Sequence, residues 1–246
     1  MNKDFLEGAK DSVPIAVGYF SVSFTFGIMA AGYGISPLTA GMISLTNVTS
    51  AGQFAGLTLM MANASYIEMF LTQLVINLRY ALMSLSLTQK LAPNMNTPRR
   101  LLTSYAVTDE IFAVAVTKDK PLTLPYMLGL EWIPILSWTA GTIAGGIANN
   151  LLPASVQSAL GLALYGMFVA IVLPPMRESR AVFYVALIAL LFSCLFYYVP
   201  LFAKVSSGFS IIISTLLAAG AGALLFPREE PSEADDPKPA EGGALR

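Results

Sequence analysis

The sequence predicts an all-α polytopic membrane protein with about seven transmembrane helices, within a range of roughly six to eight. Two observations carry this prediction. The chain of 246 residues is 55% hydrophobic and only 12% charged, with a mean hydropathy of +0.66, whereas soluble domains carry about 25% charged residues. It also contains a series of apolar stretches near the ~20 residues that a helix needs to cross a bilayer.

The predicted spans occupy most of the chain. Residues 1–11 precede them as a short charged segment without a signal-peptide pattern, which we expect to be cytoplasmic. Residues 227–246 are acidic and rich in proline and glycine, which predicts a disordered tail, so that 12–226 form the transmembrane domain. The predicted spans are residues 13–34, 37–62, 66–89, 122–150, 153–173, 181–203 and 206–226.

The first span is rich in small residues, which allow membrane helices to approach closely. Its stretch 27–32 (GIMAAG) resembles 141–146 (GTIAGG), and a proline follows each stretch. This similarity predicts an internal two-fold repeat of residues 12–117 and 121–226, an arrangement that many secondary transporters show.

The second span has a polar centre, Thr46 to Gln53, which reads TNVTSAGQ. One interpretation is a broken or re-entrant helix, because non-helical backbone at membrane depth survives only when it is buried in protein or faces water. The alternative is a continuous helix whose polar side chains bond to neighbouring helices. Both interpretations point Asn47, Ser50 and Gln53 inward.

Arg79 is the costliest residue of the third span. An arginine near the bilayer midplane costs between ~3 and more than ~10 kcal/mol unless it is paired or hydrated. At helical spacing, two polar stripes lie roughly opposite each other, which predicts a helix inside a bundle or along a cavity. Their members are Gln73, Asn77, Tyr80 and Ser84 on one side and Glu68, Thr72, Arg79 and Ser86 on the other.

Asp109 and Glu110 are adjacent acids in the otherwise apolar run 101–117. They are the natural partners of Arg79, although one of them could instead be a protonatable carboxyl, and an interfacial helix with both acids in water remains an alternative. Glu131 is expected to be either an interfacial acid or part of an ion path. Trp138 is expected in an interfacial aromatic belt.

The basic loops constrain the topology. Lysine and arginine cluster at residues 3–10, 90–100, 118–120 and 177–180, while the turns near 35, 63 and 150 carry none. If all basic loops are cytoplasmic, then 37–62 and 101–117 cannot both be simple crossings. One or both of them would re-enter the membrane or lie along its interface.

The chain has no histidine and a single cysteine, Cys194. This composition excludes a disulfide framework, a Cys/His zinc site and a Ser-His catalytic pair. We therefore expect no cofactor and no metal. An intramembrane aspartyl enzyme would have to use Asp109 with Glu131, which would be an unusual pair.

Three motifs in this order and spacing resemble the AzlC family: SAGQFAG at 50–56, NLRY at 77–80 and TDEIFA at 108–113. The resemblance covers residues 8–226. It implies the large subunit of a branched-chain amino acid exporter of the LIV-E type. Such a subunit is a secondary transporter of the bacterial inner membrane and works with a small four-span partner of the AzlD type.

The resemblance and the polar residues together give a functional hypothesis. The chain would export leucine, isoleucine, valine and sometimes methionine, coupled to a proton or ion gradient. The alternative is a transporter or channel subunit for another small solute, with a structural Arg/Asp/Glu group. The candidate substrate- or ion-binding residues are Asn47, Ser50, Gln53, Asn77, Arg79, Tyr80, Asp109 and Glu110.

Overall fold

A computed structural model describes residues 2–149, 151–153, 155, 156, 159, 166, 169, 172–202 and 204–227. More than half of the predicted span 153–173 lies outside the described residues, and of the predicted tail only Pro227 lies within them. The helices with defined bounds are α1 (Lys3–Asp11), α2 (Val13–Gly32), α3 (Pro37–Thr46), α4 (Ser50–Met61), α5 (Tyr66–Thr88), α6 (Thr97–Ser104), α7 (Asp109–Val116), α8 (Leu124–Ala148), α9 (Arg180–Tyr198) and α10 (Ser207–Leu225).

The predicted all-helical class is confirmed. Over the described ranges the chain contains no strand, only an isolated bridge between Leu91 and Leu122. Within the part of the chain that the structure describes, four helices, α2, α5, α9 and α10, are each long and apolar enough to cross a membrane, judged by length and composition. The total number of crossings remains a prediction.

Helices α1 and α2 pack in parallel along α8 through glycines. Gly8 lies against the backbone of α8 near its start, and Gly129 lies against the backbone of α1 in return. Towards the other end, Gly27 and Gly145 make the same kind of contact, and a Cβ on Gly27 would lie 2.7 Å from the amide nitrogen of Gly146. The two similar stretches thus touch each other, but the internal repeat remains a prediction.

Several helix ends meet at one end of the molecule. The amide of Leu122 donates to the carbonyl of Lys90 at 2.8 Å, and Lys118 Nζ donates to Glu7 Oε1 at 3.1 Å. This end, the basic end, therefore collects the linkers 89–96 and 117–123 with α1. It contains the end of α5, the start of α6, the end of α7 and the start of α8.

A second set of helix ends meets on the opposite side. A Cβ on Gly146, near the end of α8, would lie 3.0 Å from Pro37 at the start of α3. The carboxylate of Glu68, in the first turn of α5, accepts from the amide of Gly208 at the start of α10. Because the short turn 62–65 joins α4 to α5, the helix pair α3–α4 starts and ends on this side. The pair α6–α7 starts and ends at the basic end.

The two pairs are helical hairpins with a non-helical tip. The tip of the first hairpin, α3–α4, is residues 47–49, and that of the second, α6–α7, is residues 105–108. The second tip contacts the end of α3, where the Tyr105 hydroxyl donates to the carbonyl of Leu45. The interruption in the first hairpin is shorter than predicted, since Ser50 and Gln53 already belong to α4.

Trp138 is not interfacial, so the prediction of its place in an aromatic belt is wrong. It is 3% exposed in the middle of α8, where its indole N–H donates to Gln53 and its ring packs edge-on against Tyr19. A partner for the indole donor makes this burial favourable. Glu131 is 1% exposed, which excludes the interfacial reading for that residue as well.

Candidate functional site

The centre of the site is an ion pair between α5 and the second hairpin. Arg79 Nη1 donates to Asp109 Oδ2, so the predicted pairing of Arg79 with one of the two acids is present. The two side chains are 44% and 43% exposed. The described residues therefore leave the ion pair partly uncovered. The guanidinium also lies 5.0 Å from the centre of the Tyr80 ring.

A chain of hydrogen bonds ties α5 to the tip of the first hairpin. The Tyr80 hydroxyl donates to Thr49 Oγ1 at 3.2 Å, and the Thr49 hydroxyl donates to Asn77 Oδ1 at 2.7 Å. Asn77 Nδ2 in turn donates to Gln73 Oε1, and Gln73 Nε2 donates to the carbonyl of Gly52 at 2.7 Å. The polar stripe predicted on α5 therefore holds the interrupted helix in place.

Helices α4 and α7 both begin at a tip, and neither has a side-chain cap. Thr49 and Thr108 occupy the two N-cap positions, but no cap hydrogen bond forms at either. Their hydroxyls are engaged elsewhere, with Asn77 for Thr49 and with Tyr19 for Thr108. The first amides of both helices are thus left without a side-chain acceptor, and the positive ends of two helix dipoles lie near Arg79.

This lack of caps is unusual in the described part of the chain. Helix α2 also begins without one, but it continues directly from α1. In each of the other helices with defined bounds, a first-turn amide donates to a capping side chain, the capping residues being Asn2, Ser36, Ser65, Asn96, Thr123, Ser179 and Ser206. The open N-termini are therefore a local feature of the two tips.

Gln53 lies deeper than the ion pair and is 1% exposed. Its Nε2 donates to Ser44 Oγ at 2.5 Å, and its Oε1 accepts from Trp138 Nε1 at 3.0 Å. Ser44 is also 2.6 Å from Thr142 Oγ1. These bonds join α3, α4 and α8. Gln53 therefore connects three helices on the buried side of the site, in addition to lining a small cavity beside the first tip.

Glu110 faces away from Arg79 and towards α2. The Tyr19 hydroxyl donates to Glu110 Oε2 at 2.7 Å and lies 2.6 Å from Thr108 Oγ1. Sequence reasoning missed Tyr19, Thr49 and Thr108. The signal available for Tyr19 was a phenol hydroxyl within an apolar span, since such a group needs a partner when it is buried.

A small cavity of about 60 Å³ lies beside the first tip. It has room for a few water molecules. Amide and apolar side chains both line it, and the lining residues are Phe26, Ile43, Asn47, Gln53, Gly56, Leu57, Met60, Met69 and Gln73. Of the predicted site residues, Asn47 and Gln53 contribute to this lining, whereas Ser50, the first residue of α4, does not.

The structure thus brings the predicted residues together around one junction. The first tip and the start of α4 supply Asn47, Ser50 and Gln53, the start of α7 supplies Asp109 and Glu110, and α5 supplies Asn77, Arg79 and Tyr80. Across the described residues no cluster of three or more His, Cys, Asp or Glu side chains could hold a metal ion.

Comparison with family models shows which family this chain belongs to. The family model described as "AzlC protein" matches residues 14–152, which include both hairpins, α5 and α8. The chain belongs to the AzlC family. All of the candidate site residues lie within the matched range, so the ion pair and the two tips belong to the part of the chain that defines this AzlC protein.

Relatives of this AzlC protein are membrane proteins. It is 30% identical to the inner membrane protein YgaZ of Escherichia coli over 72% of this chain and 75% of that protein. It is 33% identical to an uncharacterized membrane protein of Archaeoglobus fulgidus over 78% of this chain and 85% of that protein. A membrane protein of Helicobacter pylori is 29% identical over 60% of this chain and 67% of its own length. No solved structure matches the chain.

At the basic end, α1 is held by ion pairs outside the spans. Lys118 Nζ lies 2.7 Å from Asp11 Oδ2 and 3.1 Å from Glu7 Oε1. Hydrogen bonding to Asp11 raises the pKa of Lys118, and hydrogen bonds from Lys118 and Lys120 lower the pKa of Glu7. Lys118 and Glu7 therefore stay charged at neutral pH, and the contact holds the second half of α1 against the linker before α8.

Proposed function

We propose that this AzlC protein is the large subunit of a secondary transporter in the bacterial inner membrane. It exports leucine, isoleucine and valine, and also methionine, in exchange for protons or another ion, together with a small four-span partner of the AzlD type. The observation that best supports this proposal is the half-exposed Arg79–Asp109 ion pair, which lies where two helices begin without a side-chain cap. The family membership supports the choice of substrate.

The site suits the backbone of a free amino acid, which carries one positive and one negative charge. Its carboxylate would bind Arg79 and the free amides at the start of α4 and α7, a geometry that transporters with interrupted helices use for anionic groups. Its ammonium would bind Asp109 or Glu110, one of which could instead take the coupling proton. A zwitterion replaces one internal ion pair with two new ones and leaves the net charge of the site unchanged.

The cavity beside the first tip would receive the substrate side chain. Its apolar lining includes Phe26, Ile43 and Leu57. An apolar pocket distinguishes side chains that differ by one methylene by only ~1–3 kcal/mol, so export of several similar amino acids is expected. The hairpins must separate before a branched side chain fits, because the cavity now holds only a few waters.

The two hairpins are proposed to re-enter the membrane from opposite faces. If the basic end is cytoplasmic, as the distribution of lysine and arginine favours, then α6–α7 enters from the cytoplasm and α3–α4 from outside. Interrupted backbone at membrane depth is tolerated where protein surrounds it or where it lines a cavity. A site between two opposed tips can open to either side when one hairpin moves, which is the geometry that alternating access needs.

The first test is uptake of labelled leucine by inverted membrane vesicles with and without the small partner. We expect gradient-dependent uptake that requires the partner and stops with a protonophore. Arg79→Lys and Arg79→Gln are expected to lower uptake by about tenfold or more, because lysine cannot replace a guanidinium that bonds a carboxylate through two nitrogens.

The matched control is Arg180→Gln, which changes an exposed arginine at the start of α9 and should leave uptake unchanged. Normal export by both Arg79 variants would contradict the role of Arg79. If leucine, valine and methionine all fail to move in either preparation, the proposed substrate is wrong.

A second candidate function is a channel subunit for another small solute. Two observations favour it. Arg79 already bonds directly to Asp109, so the ion pair could serve the fold alone. The cavity is also smaller than a branched side chain needs. Counterflow separates the two functions, because labelled leucine accumulates against unlabelled leucine only through a carrier. With a channel, the labelled leucine inside the vesicles would never rise above its equilibrium level.

A further inference from the structure

Glu131 is a buried carboxyl that the proposed substrate site does not use. It lies on α8 and is 1% exposed. Its Oε1 atom has no hydrogen-bond partner among the described residues, and the ion pairs found there do not include it. Burial of an unpartnered carboxylate is strongly unfavourable, whereas the neutral acid is tolerated. This position therefore suits a carboxyl that is buried together with a proton.

Glu131 lies between the basic end and the substrate site. At helical spacing it shares one stripe of α8 with Trp138, about 10 Å further along the axis. Trp138 packs against Tyr19, whose hydroxyl bonds to Glu110. In the other direction, α8 begins at Leu124, next to the charged linker. A proton at Glu131 is thus close to both the substrate site and one surface of the protein.

The same turn of α8 contains a backbone acceptor. Pro134 has no amide hydrogen, so the carbonyl of Leu130 lacks the donor that the residue four positions later normally supplies. The neutral form of Glu131 has a hydroxyl donor and the ionised form has none.

The other titratable groups on elements packed against α8 have partners or are exposed. Helices α3 and α4 have no charged side chain. The carboxylates of α1 bond to the segment 118–126, Tyr19 of α2 bonds to Glu110 of α7, and Asp109 of α7 pairs with Arg79. The exposed groups are Lys3, Lys10, Arg99, Arg100, Asp119 and Lys120.

We propose that Glu131 binds the coupling proton, on the basic-end side of the substrate site. This rests on the exporter function proposed above. A proton that enters from outside adds to one carboxyl oxygen and forms an O–H bond while the residue is buried. The same bond breaks when a conformational change exposes the carboxyl to water at the cytoplasmic face, and no other bond changes. Asp109 and Glu110 are then free to bind the substrate.

The test compares two kinds of transport in proteoliposomes that contain the chain and its small partner. Counterflow of labelled leucine at equal pH needs only the substrate site, whereas accumulation driven by a pH gradient also needs the proton-binding residue. Glu131→Gln replaces the neutral acid with a neutral amide of nearly the same size. We expect counterflow within about twofold of wild type and a loss of gradient-driven accumulation of about tenfold or more.

Glu68→Gln is the matched control. Glu68 is also buried, but it accepts hydrogen bonds from the Ser206 hydroxyl and the Gly208 amide, so its amide variant should keep both activities. Wild-type accumulation by Glu131→Gln would overturn the proposal. Loss of counterflow in a folded Glu131→Gln protein would also overturn it, because Glu131 would then serve substrate binding.

If the wild-type protein shows no leucine counterflow, the exporter function is contradicted, and infrared spectroscopy decides the role of Glu131 separately. A carbonyl band of a protonated carboxyl that is present in the wild-type protein and absent in Glu131→Gln supports a proton-binding residue. The same band at equal strength in both proteins contradicts it.

Discussion

At the residue scale, most of the described polar side chains whose burial in the membrane domain would cost free energy are bonded to a particular neighbour. Arg79 has Asp109, Trp138 has Gln53, and Tyr19 has Glu110. Each pair joins two helices that are far apart in sequence. The polar residues therefore fix which helices are neighbours as well as the chemistry of the site.

Gln53→Leu tests the structural link behind the site. The change leaves the buried Trp138 N–H without an acceptor and removes one partner of Ser44, and each lost buried bond costs ~1–3 kcal/mol. We expect a lower thermal unfolding midpoint in detergent. Gln89→Leu, at the exposed end of α5, should leave the midpoint unchanged. An unchanged midpoint for Gln53→Leu would show that these bonds contribute nothing to stability.

At the element scale, the packing of α2 on α8 depends on glycines that bring two backbones into contact. A Cβ on Gly27 would meet the carbonyl of Thr142 as well as the amide of Gly146, and neither backbone group can turn aside. Gly18, on the same helix, has no atom within 4 Å of the corresponding position. Identical residues on one helix thus have different roles.

Gly27→Ala and Gly18→Ala form a matched pair that tests this packing. Gly27→Ala must separate α2 from α8, and overpacking of this kind costs ~1–3 kcal/mol or more. Gly18→Ala should be neutral or stabilising by up to ~1 kcal/mol, because alanine favours the helix. The measurement is the amount of folded protein after heating in detergent. Equal loss from both variants would mean that helix contact is not the cause.

At the scale of the whole molecule, most of the helix ends other than those at the two tips lie on two opposite sides, one of which is the basic end. This arrangement predicts which loops face each side of the membrane. In a Cys194→Ser background, single cysteines at Tyr33 and Ala62 should react with an impermeant maleimide from outside intact cells. Cysteines at Asn94 and Asp119 should react only after permeabilisation. Labelling of positions 33 and 62 from opposite faces would show that α3–α4 crosses the membrane and would contradict the hairpin proposal.

The sequence by itself determined that the chain is an all-helical membrane protein and that it belongs to the AzlC family, and it predicted most residues of the candidate site. Apolar composition specifies a bilayer, and a bilayer forces backbone groups to bond within helices, so this level needs no long-range information. Arg79, Asp109 and Glu110 could be found in the same way, because charges in apolar runs are costly wherever the helices lie.

Only the tertiary structure decided the partners and the depths of particular residues. Spacing along one helix could not show that Trp138 is buried against Gln53, that the first interruption ends at Thr49, or that Asp109 and not Glu110 pairs with Arg79. The positions of Thr49 and Trp138 depend on contacts between helices that lie far apart in sequence, and a periodic pattern contains no information about such contacts. The choice between the two adjacent acids depends on how α7 begins, which the second tip sets.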